Sequence, residues 1–134
     1  MSIRIVRLGT KRAAGEGPRL GTVRRPPRGV PKKDFARRDW YDVWFPLLAP
    51  SVGTMKLGLA AQSDEDAGDK RWAAFTRKYR AEMRAPAASQ ALDALAALSR
   101  TANFSMGCYC ETESRCHRSL LRALLAERGA NIAP

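Results

Sequence analysis

Apolar and basic residues alternate through IRIVRLG (residues 3–9), with Ile3, Ile5 and Leu8 among them. That pattern suits a strand with one buried face. LGTVRR (20–25) reads as a second, shorter extended piece, set off by a loop holding Gly15, Gly17, Pro18 and Gly21. Pro26, Pro27, Gly29 and Pro31 then fall among basic residues in RRPPRGVPKKDF (24–35). Proline fixes φ and lacks a donor, so this stretch is expected to be a basic loop. FARRDWYDVWF (35–45) places Phe35, Trp40, Trp44 and Phe45 where a helix would bury some of them, with Pro46 and Pro50 ending the run. Residues 50–70 are read as holding one short helix or turn and a solvated acidic loop at Asp64, Glu65, Asp66 and Asp69.

The second half is clearer. Trp72, Phe75, Tyr79 and Met83 recur at i, i+3, i+7 and i+11, one apolar stripe of a helix. After Pro86, SQALDALAALS predicts another helix with Ser89 as N-cap and Leu92, Leu95 and Leu98 inward. NFSMGCYC (103–110) reads as extended. A last helix from about His117 to Arg128 turns Leu120, Leu121, Leu124 and Leu125 to one face, with Gly129 as its C-cap. A strand followed directly by a helix is a βα unit. The expectation is therefore one α/β domain over residues 1–134, with a mostly parallel sheet and flanking helices.

Charge changes this picture unevenly. The net charge is +11, and residues 1–38 carry twelve lysines and arginines against only Glu16 and Asp34. A face of that kind attracts phosphates, free or in nucleic acid, without choosing among them. No stretch approaches the ~20 apolar residues of a membrane span, and the opening residues lack a secretory pattern. A cytoplasmic protein is expected. An odd count of three cysteines argues against a disulfide scaffold, although Cys110 and Cys116 would pair if their Cα atoms came within ~7 Å.

The end of NFSMGCYC and the start of the last helix gather Cys108, Cys110, Glu111, Cys116, His117 and Arg118 where open α/β folds bind ligands. First-turn N–H groups there are free to stabilise an anion or thiolate. Cys116 is expected to have a lowered pKa beside Arg115 and Arg118. Four soft ligands, Cys108, Cys110, Cys116 and His117, suit tetrahedral zinc, but C-x-C in a strand is not the C-x2-C of zinc knuckles, so no metal or other cofactor is expected. Cys116 and Arg122 have the C-x5-R count of phosphatase loops, yet the intervening HRSLL holds no glycine to wrap an oxyanion.

Several segments together resemble the YeaO-like proteins, the DUF488 family. They are VRRPPRGV (23–30), the stretch from Trp40 to Ala49-Pro50-Ser51, Trp72, Phe75, Tyr79 and Glu82 with Met83, and Cys116-His117-Arg118 with the leucines after it. The resemblance covers nearly the whole chain. VRRPPRGV is one residue shorter than the YeaO-type segment and lacks its tryptophan, and the CHR end looks more like other branches. What the resemblance implies is a three-layer α/β architecture and a focus on Arg25, Arg28 and the Cys-His-Arg segment, with no reaction attached.

These readings converge on an anionic small molecule, a phosphate or nucleotide, at the strand-end site. Cys116 is the candidate nucleophile and His117 the proton carrier; Arg25, Arg28, Arg118, Cys110 and Glu111 are the candidate ligand-binding residues. A basic module associated with nucleic acid, and a non-catalytic structural or interaction protein, are the alternatives.

Overall fold

The computed structural model of the chain describes residues 1–63 and 68–134. Among these, four strands form one all-parallel sheet: β1 (Ile3–Arg7), β2 (Arg19–Gly21), β3 (Val43–Trp44) and β4 (Phe104–Cys108), in the order β1-β4-β2-β3. Four helices flank it: α1 (Val52–Ser63), α2 (Gly68–Met83), α3 (Pro86–Leu98) and α4 (His117–Glu127). This is the expected α/β class.

β4 lies between β1 and β2, in register Ile3 to Phe104 and Leu20 to Met106, and all five of its residues are buried. A central parallel strand has no solvent face, which explains its lack of charged residues. Phe104 and Met106 enter the main core with Ile3, Leu48, the α2 stripe, Leu92 and the α4 leucines. Ser105 alternates to the other face, where its hydroxyl donates to Glu16 at 2.6 Å. Gly107 is required by close approach: a Cβ there would sit 2.4 Å from the Val6 carbonyl oxygen.

The α2 stripe packs as its spacing predicts, with Phe75, Tyr79 and Met83 buried and Trp72 stacked on Phe75. The α4 leucines are also buried, and Gly129 ends that helix at φ 75°. Other expectations are corrected. Residues 35–45 are not a helix: turns follow Phe35, Asp39 takes a left-handed φ of 62°, and Val43–Trp44 pairs with β2 as an edge strand. α3 starts at Pro86, whose fixed φ suits a first helical position, so Ser89 lies inside the helix and its N–H donates to Ala85. Leu92 is buried, Leu95 half-buried, and Leu98 exposed. The short helix or turn after Pro50 is a twelve-residue helix, α1. Of the acidic cluster, Asp64, Glu65 and Asp66 lie outside the described residues; Asp69 stands in the first turn of α2 and pairs with Arg115.

α1 shows why its length was hard to read. Gly58 packs so closely on Phe75 that a Cβ would lie 2.9 Å from the ring, so α1 meets α2 through small residues instead of a large apolar stripe. Its N-terminus is capped across helices. Ser51 Oγ accepts from the Thr54 N–H, while Glu82 of α2 accepts from the Ser51 N–H and from both hydroxyls. This is a capping box whose acid comes from another helix.

Candidate functional site

Parallel strands carry their following loops to one edge, and here the ends of β1, β2 and β4 open onto a cavity of about 850 Å³. That volume suits a small organic ligand. Leu8–Thr10 after β1 and Val23–Arg28 after β2 form two walls, Trp40 and Tyr109 a third, and Met55 and Leu59 of α1 close the side. Trp40 and Tyr109 meet edge to face, with centroids 5.7 Å apart.

The basic loop is fixed over this cavity. Tyr109 Oη donates to the Arg25 carbonyl at 2.9 Å, and the Arg24 guanidinium donates to the carbonyls of Pro46, Ala49 and Pro50. With Pro26 and Pro27 stiffening the loop, Arg25 and Arg28 line the cavity with exposed side chains and no ion pair among the described residues. Arg7 also lines it and pairs with exposed Glu111 at 3.7 Å.

The floor is a cysteine cluster. β4 ends at Cys108, the chain bends at Tyr109, and Cys110 returns toward Cys116, the residue that caps α4. The three Sγ atoms lie within 4.8 Å of one another, and Cys108 and Cys116 are 2.7 Å apart. Cys116 therefore has Cys108 as its close neighbour. Cys108 and Cys116 are each 2% exposed, whereas Cys110 is half-buried and, with Cys108 and His117, faces the cavity.

The thiols do not titrate alike. Hydrogen bonds from Cys108 and then Cys116 hold Cys110 well below the usual thiol range despite burial, with help from the Gln62 amide at 3.5 Å. The same contacts and burial push Cys108 up. For Cys116 the bond from Cys108 acts downward, but Cys110 and burial outweigh it and the thiol is pushed up to about 11. The lowered pKa expected for Cys116 is thus corrected: at this helix cap, the contact with Cys110 and burial outweigh the downward pull and the thiol is raised. Arg115 does not help it either, since its guanidinium reaches the Gly68 carbonyl and Asp69 and lies over the Trp72 ring.

His117 is buried beside Tyr79. Its Nε2 lies 2.7 Å from the Thr22 carbonyl oxygen, and Cys116 Sγ lies 3.7 Å from Nδ1. Burial lowers its pKa to about 4 against that hydrogen bond, so the ring is neutral at pH 7. Arg118 is 4% exposed and donates to the Cys110 carbonyl at 2.5 Å, holding the bend after β4; its Nε is buried without a partner. Arg122 binds Glu113 through two hydrogen bonds and does not join Cys116.

Of the residues chosen from sequence, Arg25, Arg28, Cys110 and His117 share the cavity; Cys116 and Arg118 stand behind it, and Glu111 lies outside it. Sequence reasoning missed Arg7, Trp40, Tyr109, Met55 and Leu59 as lining residues; Trp40 read first as core, and the others carried no signal of their own. The C-x-C spacing did hold a signal for Cys108. The bend at Tyr109 lets both thiols meet Cys116, which the argument from an unbroken strand did not allow for.

A parallel sheet whose strand ends open onto an arginine-rimmed cavity with a cysteine–histidine floor defines an α/β protein with a strand-edge site. The family model described as the active DUF488-N3 subclade matches residues 3–129, and the chain belongs to the DUF488 family, as its motifs implied. Searches among curated proteins and among solved structures gave no match. No helix among the described residues is long and apolar enough to cross a membrane.

Proposed function

We propose that the strand-edge cavity binds an anionic small molecule carrying an aromatic ring, of which a nucleotide is the simplest kind, and that Cys110 is the reactive thiolate at its floor. The observation that carries this reading is the shared cavity: two arginines on a braced loop with no ion pair among the described residues, an aromatic wall and the half-buried Cys110 thiol. Arg25 and Arg28 supply charge-assisted hydrogen bonds to phosphate oxygens, and Trp40 and Tyr109 offer ring faces or edges to a base. Cys116, the nucleophile first expected, backs Cys110 instead, and His117 orients the cluster. The family's description as an active subclade favours catalysis over a purely structural role.

A nucleic-acid-binding module is the weaker reading, because much of the N-terminal charge is spent internally. Arg19 is buried against Glu16, Arg12 pairs with Asp39 and Asp42, and Arg24 holds carbonyls. The test is calorimetric titration with nucleoside mono- and diphosphates and with inorganic phosphate, on the native chain and on Arg25→Ala and Arg28→Ala. Losing a charge-assisted contact costs roughly 1.5–3 kcal/mol, so each variant should bind about 10–100-fold more weakly. Absence of binding by any of these anions sinks the reading.

A further inference from the structure

The thiolate at the cavity floor stands in a group with the donor set of a metal site. We propose that the Sγ atoms of Cys108, Cys110 and Cys116 bind one zinc-class divalent cation at the floor of the cavity, with Nδ1 of His117, now beside Cys116 only, closing onto it as the fourth ligand.

Geometry supports the three sulfurs directly, whereas Nδ1 of His117 is near Cys116 but not within 4.8 Å of all three and must move toward the ion. The three sulfurs are mutually within 4.8 Å although they come from the end of a strand, a bend and a helix cap. With metal–sulfur bonds of about 2.3 Å and metal–nitrogen bonds of about 2.0–2.1 Å, a tetrahedral site has ligand–ligand edges of roughly 3.5–3.8 Å. The Cys116 Sγ to His117 Nδ1 distance of 3.7 Å already matches such an edge. Cys108 and Cys116, 2.7 Å apart, would need to open by about 1 Å to reach it.

The tautomer of His117 suits the role of a fourth ligand. A carbonyl oxygen only accepts, so the 2.7 Å contact with Thr22 places the ring proton on Nε2. Nδ1 is left as a bare lone pair in a buried position next to sulfur. Metal-binding histidines are held in this manner, with the far N–H donated to a carbonyl that fixes the tautomer and ring direction.

On binding, each protonated thiol releases its proton to solvent and its sulfur lone pair forms the bond to the cation, so no oxidant or reductant is consumed. Soft tetrahedral sulfur and imidazole donors favour zinc over magnesium or calcium. The cation would tie the end of β4 to the start of α4 and keep Cys110 deprotonated at the cavity edge. The inference rests on the same cysteine cluster as the proposed function and makes Cys110 a metal-bound thiolate that is free to react only when the ion is absent, whereas anion binding by Arg25 and Arg28 is independent of it.

The experiment uses the full chain, purified without chelator under reducing conditions. Elemental analysis should find about one zinc per chain. Replacement by cobalt(II) should give the intense visible bands of a tetrahedral site and thiolate-to-cobalt charge transfer, and Cys110→Ser should weaken that charge transfer and lower cobalt affinity more than about tenfold. The cobalt spectrum of the native chain needs no variant to fold. Reduced protein that takes up neither zinc nor cobalt overturns the site. A Cys108–Cys116 disulfide that, once reduced, still leaves cobalt unbound also overturns it. Metal binding without nucleotide binding would keep this site and sink the cleft reading; the converse would do the opposite.

Discussion

Nε2 of His117 lies 2.7 Å from the carbonyl oxygen of Thr22, which joins the first residue of α4 to the residue following β2. The contact fixes both the tautomer and the ring plane. Long-range nitrogen-15 spectra of the imidazole should therefore show a protonated Nε2 and an unprotonated Nδ1, with or without zinc. The opposite tautomer would remove the lone pair from the cysteine cluster. His117→Ala should also cost about 2–4 kcal/mol in denaturant unfolding, since it deletes a buried ring and its hydrogen bond.

Glu16 and Arg19 form an ion pair with side chains 3% and 0% exposed. The carboxylate also accepts from Ser105 and the Ala13 N–H. Burial raises its pKa, but these donors outweigh that and hold the group at about 2, below its ordinary 4.5. A depressed carboxylate stabilises the fold fully above the unfolded value and loses that contribution as pH falls toward the folded one. Unfolding free energy should thus decline between about pH 4.5 and 2, by on the order of 3 kcal/mol from this group. Glu16→Gln should flatten that part of the profile and cost about 3–5 kcal/mol at pH 7, because Arg19 is left charged and buried.

Glu82 gathers Ser51 and Thr54 at the start of α1. Burial works against its ionisation, but these donors prevail and its pKa is lowered. Glu82→Ala should destabilise the protein by about 1–3 kcal/mol and speed amide exchange first in α1. Equal exchange across α1 in both proteins would show that the helix holds without this cap.

The βα unit at the site was legible because β4 is an uninterrupted run without charge and α4 has four leucines at helical spacing. Residues 35–45 misled for an identifiable reason: their aromatic spacing fits a helix, but left-handed Asp39 and the pairing of Val43–Trp44 with β2 prevail over it. Arginine use was hidden as well. Arg24, Arg25 and Arg28 look equivalent in a basic loop, and only the carbonyls of Pro46, Ala49 and Pro50 separate the structural Arg24 from the other two. Cys110 was a candidate ligand contact, but its charge depends on two sulfurs whose approach requires the bend at Tyr109, and residue spacing alone does not encode that bend.

Thiol chemistry should follow this difference in exposure and charge. Cys110 is half-buried at the cavity and holds the lowered pKa, while Cys108 and Cys116 are almost fully covered and raised. In metal-free reduced protein, iodoacetamide should label Cys110 first and keep doing so below pH 7, since a thiolate is the reacting species. The other two should react only on unfolding. A nucleotide filling the cavity should slow labelling of Cys110, and Arg28→Ala should weaken that protection without changing the rate in its absence. Zinc should protect all three by occupying the sulfurs themselves. Peptide mapping of the alkylated protein separates these effects: Cys116 labelled ahead of Cys110 would return the nucleophile to the helix cap, and uniform labelling would mean that the cluster opens in solution.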